Sequence, residues 1–243
     1  VSGRLFGVGL GPGDPELLTL KATRILREAS VIAYPLSEGG ASLARSIAEP
    51  HLGPAQREIA IELCMSTERA PGQGAYDLAA PRIAAELDAG HDVAVLCEGD
   101  PFFYGSFLQL FARLGHRYPT EVVPGVSSVM AAAARTRRPL CARTDRFAVL
   151  PATLADDALL SAIAAAESVA ILKLGRHFAR VKALIEGMGL TDRATYAERI
   201  GQAGERVLPL GETGETAPYF AMILLYKGAE PAILDALNGP HLR

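Results

Sequence analysis

The segment Leu5-Phe6-Gly7-Val8-Gly9-Leu10-Gly11-Pro12-Gly13-Asp14-Pro15 passes from an apolar run through a glycine-rich turn into a helical pattern. A strand, a glycine turn and a helix in that order open an α/β sheet, in which ligands bind beyond the carboxyl ends of the strands. Asp14 as an N-cap and Pro15 at the first helical position mark the helix start, and Leu18, Ala22, Ile25 and Ala29 recur at helical spacing. The turn is not a dinucleotide fingerprint. Pro12 stands where the third glycine is required and has no backbone N–H for a phosphate. The second strand, near Val31-Ile32-Ala33-Tyr34, ends without the acidic residue that a ribose would want, so a Rossmann dehydrogenase is disfavoured. On its own, such a glycine cluster serves equally as a ligand turn or as a plain tight turn.

Two further turns share this construction. Asp92-Val93-Ala94-Val95-Leu96-Cys97 is a continuous apolar run, as in strands buried on both faces of a parallel sheet, and it leads into Glu98-Gly99-Asp100-Pro101-Phe102-Phe103-Tyr104-Gly105. A helix follows with Phe107, Leu110, Phe111 and Leu114 on one stripe, closed by Gly115. Glu121-Val122-Val123 is a short strand, Pro124-Gly125 turns the chain, and Val126-Ser127-Ser128 opens a helix of small residues at 131–134. The spacing predicts three strand ends on one sheet edge.

Between these landmarks, residues 41–49 read as a helix and Arg57-Glu58-Ile59-Ala60-Ile61-Glu62-Leu63 alternates as a half-buried strand does. Residues 65–77, interrupted by Pro71, Gly72 and Gly74, have no period and read as a long loop, either a binding loop or a surface connection. A short helix over 81–89 ends at Gly90. Arg135, Arg137, Arg138, Arg143 and Arg146 then cluster around Pro139 and Cys141. They form either a solvated linker or a clamp for carboxylates, which guanidinium groups bind bidentately. The pattern restarts beyond them, so two α/β domains are expected, an N-terminal one over 1–138 and a C-terminal one over 139–243. The second holds strands at 147–150, 169–172, 194–198 and 219–226, and helices over 157–167, 178–188 and 231–237.

Composition fits this reading. With 243 residues, 49% hydrophobic and 21% charged, the chain has the make-up of an ordinary globular protein, and no apolar run reaches the roughly 18 residues of a membrane span. Val1-Ser2-Gly3-Arg4 is not a secretory start, so a cytoplasmic location is expected. Cys64, Cys97 and Cys141 are far apart and the five histidines are scattered, which predicts no metal site. A net charge of −3 gives no reason to expect nucleic acid as a partner.

The three turns, Gly7-x-Gly9-x-Gly11-Pro12-Gly13-Asp14-Pro15, Glu98-Gly99-Asp100-Pro101-x-x-Tyr104-Gly105 and Val123-Pro124-Gly125-Val126-Ser127-Ser128, together resemble the S-adenosylmethionine-dependent tetrapyrrole methylases. Leu172-Lys173-Leu174-Gly175 and Glu198-Arg199-Ile200-Gly201 extend the resemblance over nearly the whole chain. Within the family, the wording from Gly9 to Ala22 and from Cys97 to Phe107 is most similar to members acting on precorrin-2 in corrin-ring (cobalamin) biosynthesis. The resemblance implies two α/β domains of class III methyltransferase type with S-adenosyl-L-methionine folded in the cleft between them, S-adenosyl-L-homocysteine as product, and a homodimer. It implies methyl transfer to C(20) of precorrin-2, with cobalt-precorrin-2 or another ring position as the alternative. Carried over position by position, Pro12 lies along the cofactor's path, Gly99 and Asp100 approach its amino acid or ribose part, and Phe103 offers backbone contacts. Ser127 and Ser128 hydrogen-bond its polar end, and Leu174 lines the adenine pocket. The Ala197-Glu198 region also approaches adenine, with no single residue assigned.

A sulfonium is already a good leaving group, so such an enzyme needs chiefly to align the methyl carbon with a ring carbon and exclude water. That agrees with the lack of a compelling Ser-His-Asp, Cys-His or metal constellation in the sequence. Loss of the meso proton could use a base, for which Tyr104 and Glu98 are the candidates. A polycarboxylate substrate gives the arginines a purpose: Arg143 or Arg146, with Arg69 from the long loop, would contact acetate or propionate side chains. The reading of another class is a non-catalytic tetrapyrrole or nucleotide binder.

Overall fold

Five apolar segments build the first sheet: β1 (Leu5–Gly9), β2 (Val31–Ser37), β3 (Arg57–Leu63), β4 (Val93–Cys97) and β5 (Thr120–Val123). They run parallel in the order β3-β2-β4-β1-β5. The computed structural model describes residues 1–37, 39–63 and 69–228, and the chain divides into two units, Val1–Ser127 and Ser128–Arg243.

In the first unit, helices cover both faces of the sheet, which is why β1 and β4 are buried at every position. On one face Leu5, Val93, Val95 and Cys97 pack with Ile83 and Leu87 of α3 (Arg69–Asp88) and with Phe107 and Leu110 of α4 (Phe107–Leu114). On the other, Phe6, Val8, Leu10 and Leu96 pack with Ile25 and Leu26 of α1 (Leu20–Glu28) and with Ala44 and Ile47 of α2 (Leu43–Ala48).

Two local expectations change. Asp14 does cap a helical turn, its side chain accepting the Glu16 N–H at 2.9 Å, but that turn is a 3-10 helix, Pro15–Leu17, which breaks at Leu18. The helix α1 starts separately, behind Thr19, whose hydroxyl accepts the Ala22 N–H at 3.1 Å. The long loop expected over 65–77 is also corrected, because α3 begins at Arg69; residues 65–68 lie outside the described part. Pro71 is the third helical residue, where an N–H has no partner within the helix, so proline removes nothing there. Downstream, Tyr76, Ala79, Ala80, Ile83 and Leu87 anchor α3 in the core, and this packing outweighs the glycines.

The second unit contains α5 (Ser128–Thr136), β6 (Phe147–Pro151), α6 (Asp156–Ala165), β7 (Ser168–Leu172), α7 (Phe178–Gly187), β8 (Ala194–Glu198), β9 (Arg206–Pro209) and β10 (Ala221–Tyr226). Its sheet is mixed, ordered β6-β7-β10-β8-β9. Strands β6 and β7 are parallel, while β10 runs antiparallel to both of its neighbours and β9 antiparallel to β8. The boundary expected at 138/139 falls earlier, ahead of α5. This helix packs against β8, Arg135 pairs with Glu205, and Arg138 Nη1 donates to the Arg193 carbonyl at 3.0 Å. The helix expected over 231–237 lies outside the described residues.

Candidate functional site

Parallel β4, β1 and β5 are neighbours, so the turns after them share one sheet edge as the spacing predicts. Glycine lets their backbones touch. A Cβ on Gly9 would lie 2.5 Å from Gly125 N and 2.9 Å from Gly99 O; one on Gly125 would lie 2.0 Å from Gly99 O. Gly11 and Gly99 also exchange hydrogen bonds, Gly99 N to Gly11 O at 2.7 Å and Gly11 N to Gly99 O at 3.2 Å, and both have positive φ, +75° and +66°. The sequence reading gives Gly9 and Gly125 no separate role. Their signal is a glycine directly at or after each short apolar strand.

Asp100 ties two of the turns together. One carboxylate oxygen accepts the Phe102 N–H at 2.9 Å and the other accepts the Gly125 N–H at 3.0 Å, while Phe103 N donates to the Asp100 carbonyl at 3.2 Å. Each oxygen keeps a second lone pair for a ligand. Pro12 is buried in the first turn, and Ser127 and Ser128 are half-buried in the third. Beside Gly99, where a side chain would project, the nearest atom is Ser127 Cα at 3.9 Å, so the glycine leaves a space between these two residues.

Glu98 is half-buried just ahead of Gly99. Removal from water pushes its carboxyl above the ordinary carboxylate range, against the opposing pull of its own N–H and that of Ala44 in α2. Burial likewise pushes the Cys97 thiol up to about 11 despite hydrogen bonds from Ser106 and the Phe107 N–H. Tyr104 is 48% exposed and adopts a positive φ of 57°, beside a Gly105 whose Cβ would lie 2.4 Å from Pro101 O.

In the second unit Leu174 is wholly buried among Ile171, Phe178 and Val181. Glu198, 7% exposed, accepts from the Tyr196 hydroxyl and from Arg206 Nη1 at 3.3 Å, and burial with this carboxylate raises the Tyr196 pKa. Among the expected substrate arginines, Arg146 is engaged by Glu167 in a fork: Nε to one oxygen at 3.0 Å and Nη2 to the other at 2.8 Å. That guanidinium holds the Glu167 carboxyl down at about 2. Arg143 is exposed with φ 46°, and the side chain of Arg69 lies outside the described part. Among the described residues no group of histidine, cysteine, aspartate and glutamate could hold a metal ion, and no helix is long and apolar enough to cross a membrane.

The family model of the tetrapyrrole (corrin/porphyrin) methylases matches residues 4–214. This chain belongs to the tetrapyrrole methylases. It is 44% identical, over 96% of its length, to the cobalamin biosynthesis protein CobIJ of Mycobacterium tuberculosis, and spans about half of that relative, 47%. It is 38% identical to the precorrin-2 C(20)-methyltransferase of Sinorhizobium sp, covering 92% of this chain and 95% of that protein. Among solved structures, the uroporphyrin-III C-methyl transferase of Thermus thermophilus complexed with S-adenyl homocysteine matches this methylase with a TM-score of 0.65 and 27% identity, over 91% of this chain and 97% of that one. Both units are α/β, as the motifs predict.

Proposed function

We propose that this methylase moves the methyl group of S-adenosyl-L-methionine to C(20) of precorrin-2 in cobalamin biosynthesis, releases S-adenosyl-L-homocysteine and works as a homodimer. The observation that carries the reading is the match to a precorrin-2 C(20)-methyltransferase over almost the full length of both chains.

The residues at the glycine edge fit the cofactor. The turns over 9–15, 98–106 and 123–128 carry the carboxylates of Asp14, Glu98 and Asp100 and no lysine, arginine or histidine, which suits a sulfonium cation. When bound, the cofactor supplies an electrophilic methyl on a good leaving group. Pro12 would flank its path, Gly99 and Asp100 would hold its amino acid or ribose part, and Phe103 would add backbone contacts. Ser127 and Ser128 would bond its polar end, and Leu174 belongs to the adenine-binding set. The joined backbones of Gly9, Gly99 and Gly125 make this edge rigid, which favours catalysis by alignment. Arg69, Arg143 and Arg146 are the proposed contacts for the ring carboxylates, Arg146 by exchanging Glu167 for a substrate acid.

Anaerobic incubation with S-adenosyl-L-methionine and enzymatically made precorrin-2, with and without cobalt in the ring, followed by mass and NMR location of the new methyl, tests the reading. A methyl at C(20) on one form is expected. Tight S-adenosyl-L-homocysteine binding with no transfer to either form refutes it.

A further inference from the structure

We propose that the Glu98 carboxylate accepts the proton lost from C(20) once the new methyl is in place. The inference rests on the methyltransferase reading above and adds to it the group that completes the reaction.

Three carboxylates stand at the glycine edge, and all three accept backbone N–H groups. Asp14 holds the Glu16 N–H, and Asp100 holds one N–H of its own turn and one of the turn after β5. Glu98 accepts from its own N–H and from that of Ala44, and among the described residues no lysine, arginine or histidine pairs with it. The other half-buried or buried glutamates among the described residues each have a cation: Glu86 has Arg57, Glu121 has Lys21, Glu167 has Arg146, Glu198 has Arg206 and Glu205 has Arg135. A half-buried carboxyl left without a cation, one residue ahead of Gly99 and at the ligand-binding end of a central strand, is arranged as a base is rather than as a structural ion pair. Burial raises its proton affinity above that of an ordinary carboxylate, which strengthens it as a base. The neighbouring titratable group is the Cys97 thiol, which burial keeps neutral. Arg45, on the helix that reaches Glu98, is turned to Glu58 and Glu49.

The step balances without an oxidant or reductant. A ring electron pair forms the C–C bond at C(20) as the methyl–sulfur bond breaks to leave a neutral thioether. The C(20)–H bond then breaks, its electrons restore the conjugated ring, and the proton passes to Glu98 and on to water.

The test uses precorrin-2 bearing hydrogen or deuterium at C(20), with the parent, Glu98→Gln and Glu98→Asp, following methyl incorporation and label release separately and measuring S-adenosyl-L-homocysteine affinity by calorimetry. Glu98→Gln is expected to bind the product nucleoside as the parent does. It should accumulate methylated ring that keeps its C(20) label, and slow label release by about 10²–10³-fold with a larger isotope effect; Glu98→Asp should recover part of the release. Parent-like release and isotope effect in Glu98→Gln overturn the proposal. So does loss of nucleoside binding in both variants, which makes Glu98 a brace for α2. A parent that methylates no precorrin-2 overturns the methyltransferase reading itself, and is distinguished because the parent alone shows it.

Discussion

Gly125→Ala is the most direct probe of the glycine edge. Gly125 has no positive φ, so alanine meets no backbone penalty there and the whole effect comes from contact. Its Cβ would lie 2.0 Å from Gly99 O, whereas real Cβ atoms stay beyond 3.0 Å, so the two turns must part by about 1 Å (3.0 − 2.0). Overpacking of that kind costs about 1–3 kcal/mol. The same movement stretches the 3.0 Å bond from Gly125 N to the Asp100 carboxylate, a contact to a charged group worth about 1.5–3 kcal/mol. At the half-buried end of both ranges the sum is about 3 kcal/mol, or roughly 6–12 °C in melting temperature. Displacement of Gly99 and Asp100 should also weaken S-adenosyl-L-homocysteine at least about tenfold, equivalent to about 1.4 kcal/mol. Differential scanning calorimetry and titration calorimetry read both effects. Gly74→Ala is the control: nothing lies within 4 Å of the added carbon, and alanine inside α3 should stabilise by about 0.4–1 kcal/mol. If Gly125→Ala melts and binds as the parent does, the contact of three backbones does not organise this edge.

Asp100→Asn turns one acceptor into an N–H donor that faces either Gly125 N–H or Phe102 N–H; nucleoside affinity should fall about tenfold or more by calorimetry, and an unchanged affinity would separate Asp100 from the binding edge. Gln in place of Arg143 or Arg146 should raise the KM for precorrin-2 while leaving cofactor affinity as it was. Unchanged KM in steady-state assays would leave Arg146 as the partner of Glu167 alone. The Cys97 thiol ionises at about 11, above its ordinary value near 9, so the native state resists forming the thiolate. The stability this gives is fully present below pH 9 and is lost as pH rises toward 11. Urea unfolding should show that decline, and Cys97→Ala should flatten it; a decline of the same slope in the variant would assign it to other groups.

The first sheet was legible because its signals are local: an apolar run, then glycine, then a helix stripe such as Phe107, Leu110 and Leu114. What local pattern hides is whatever tertiary packing decides. The helix α3 reads as a loop because Pro71, Gly72 and Gly74 break the period, yet Pro71 sits where no N–H is needed and the later turns are held by the core. Strand β9 escapes notice since Arg206-Val207-Leu208-Pro209 is a short, mostly exposed edge strand without alternation. The arginine cluster suggests a domain boundary at 138/139, whereas the contacts of Arg135 with Glu205 and of Arg138 with Arg193 join α5 to the second unit. At the candidate site the motifs located the edge. The bond from Gly125 N–H to Asp100 and the fork of Glu167 on Arg146 are hidden from local pattern, because these partners are more than twenty residues apart in sequence.

The central place of β10 in the second sheet has a consequence for the order of synthesis. Until residues 221–226 leave the ribosome, β7 can pair only with β6, and β8 only with β9. Two-stranded ribbons are marginal in water, so neither half persists alone. The first sheet needs nothing beyond β5, which ends at residue 123, while the second waits for residue 226, a lag of 103 residues (226 − 123). At roughly 5–20 residues per second this is about 5–20 s in which a finished first unit emerges joined to an open one. During that interval the exposed edges of β7 and β8 are the segments most in need of a chaperone.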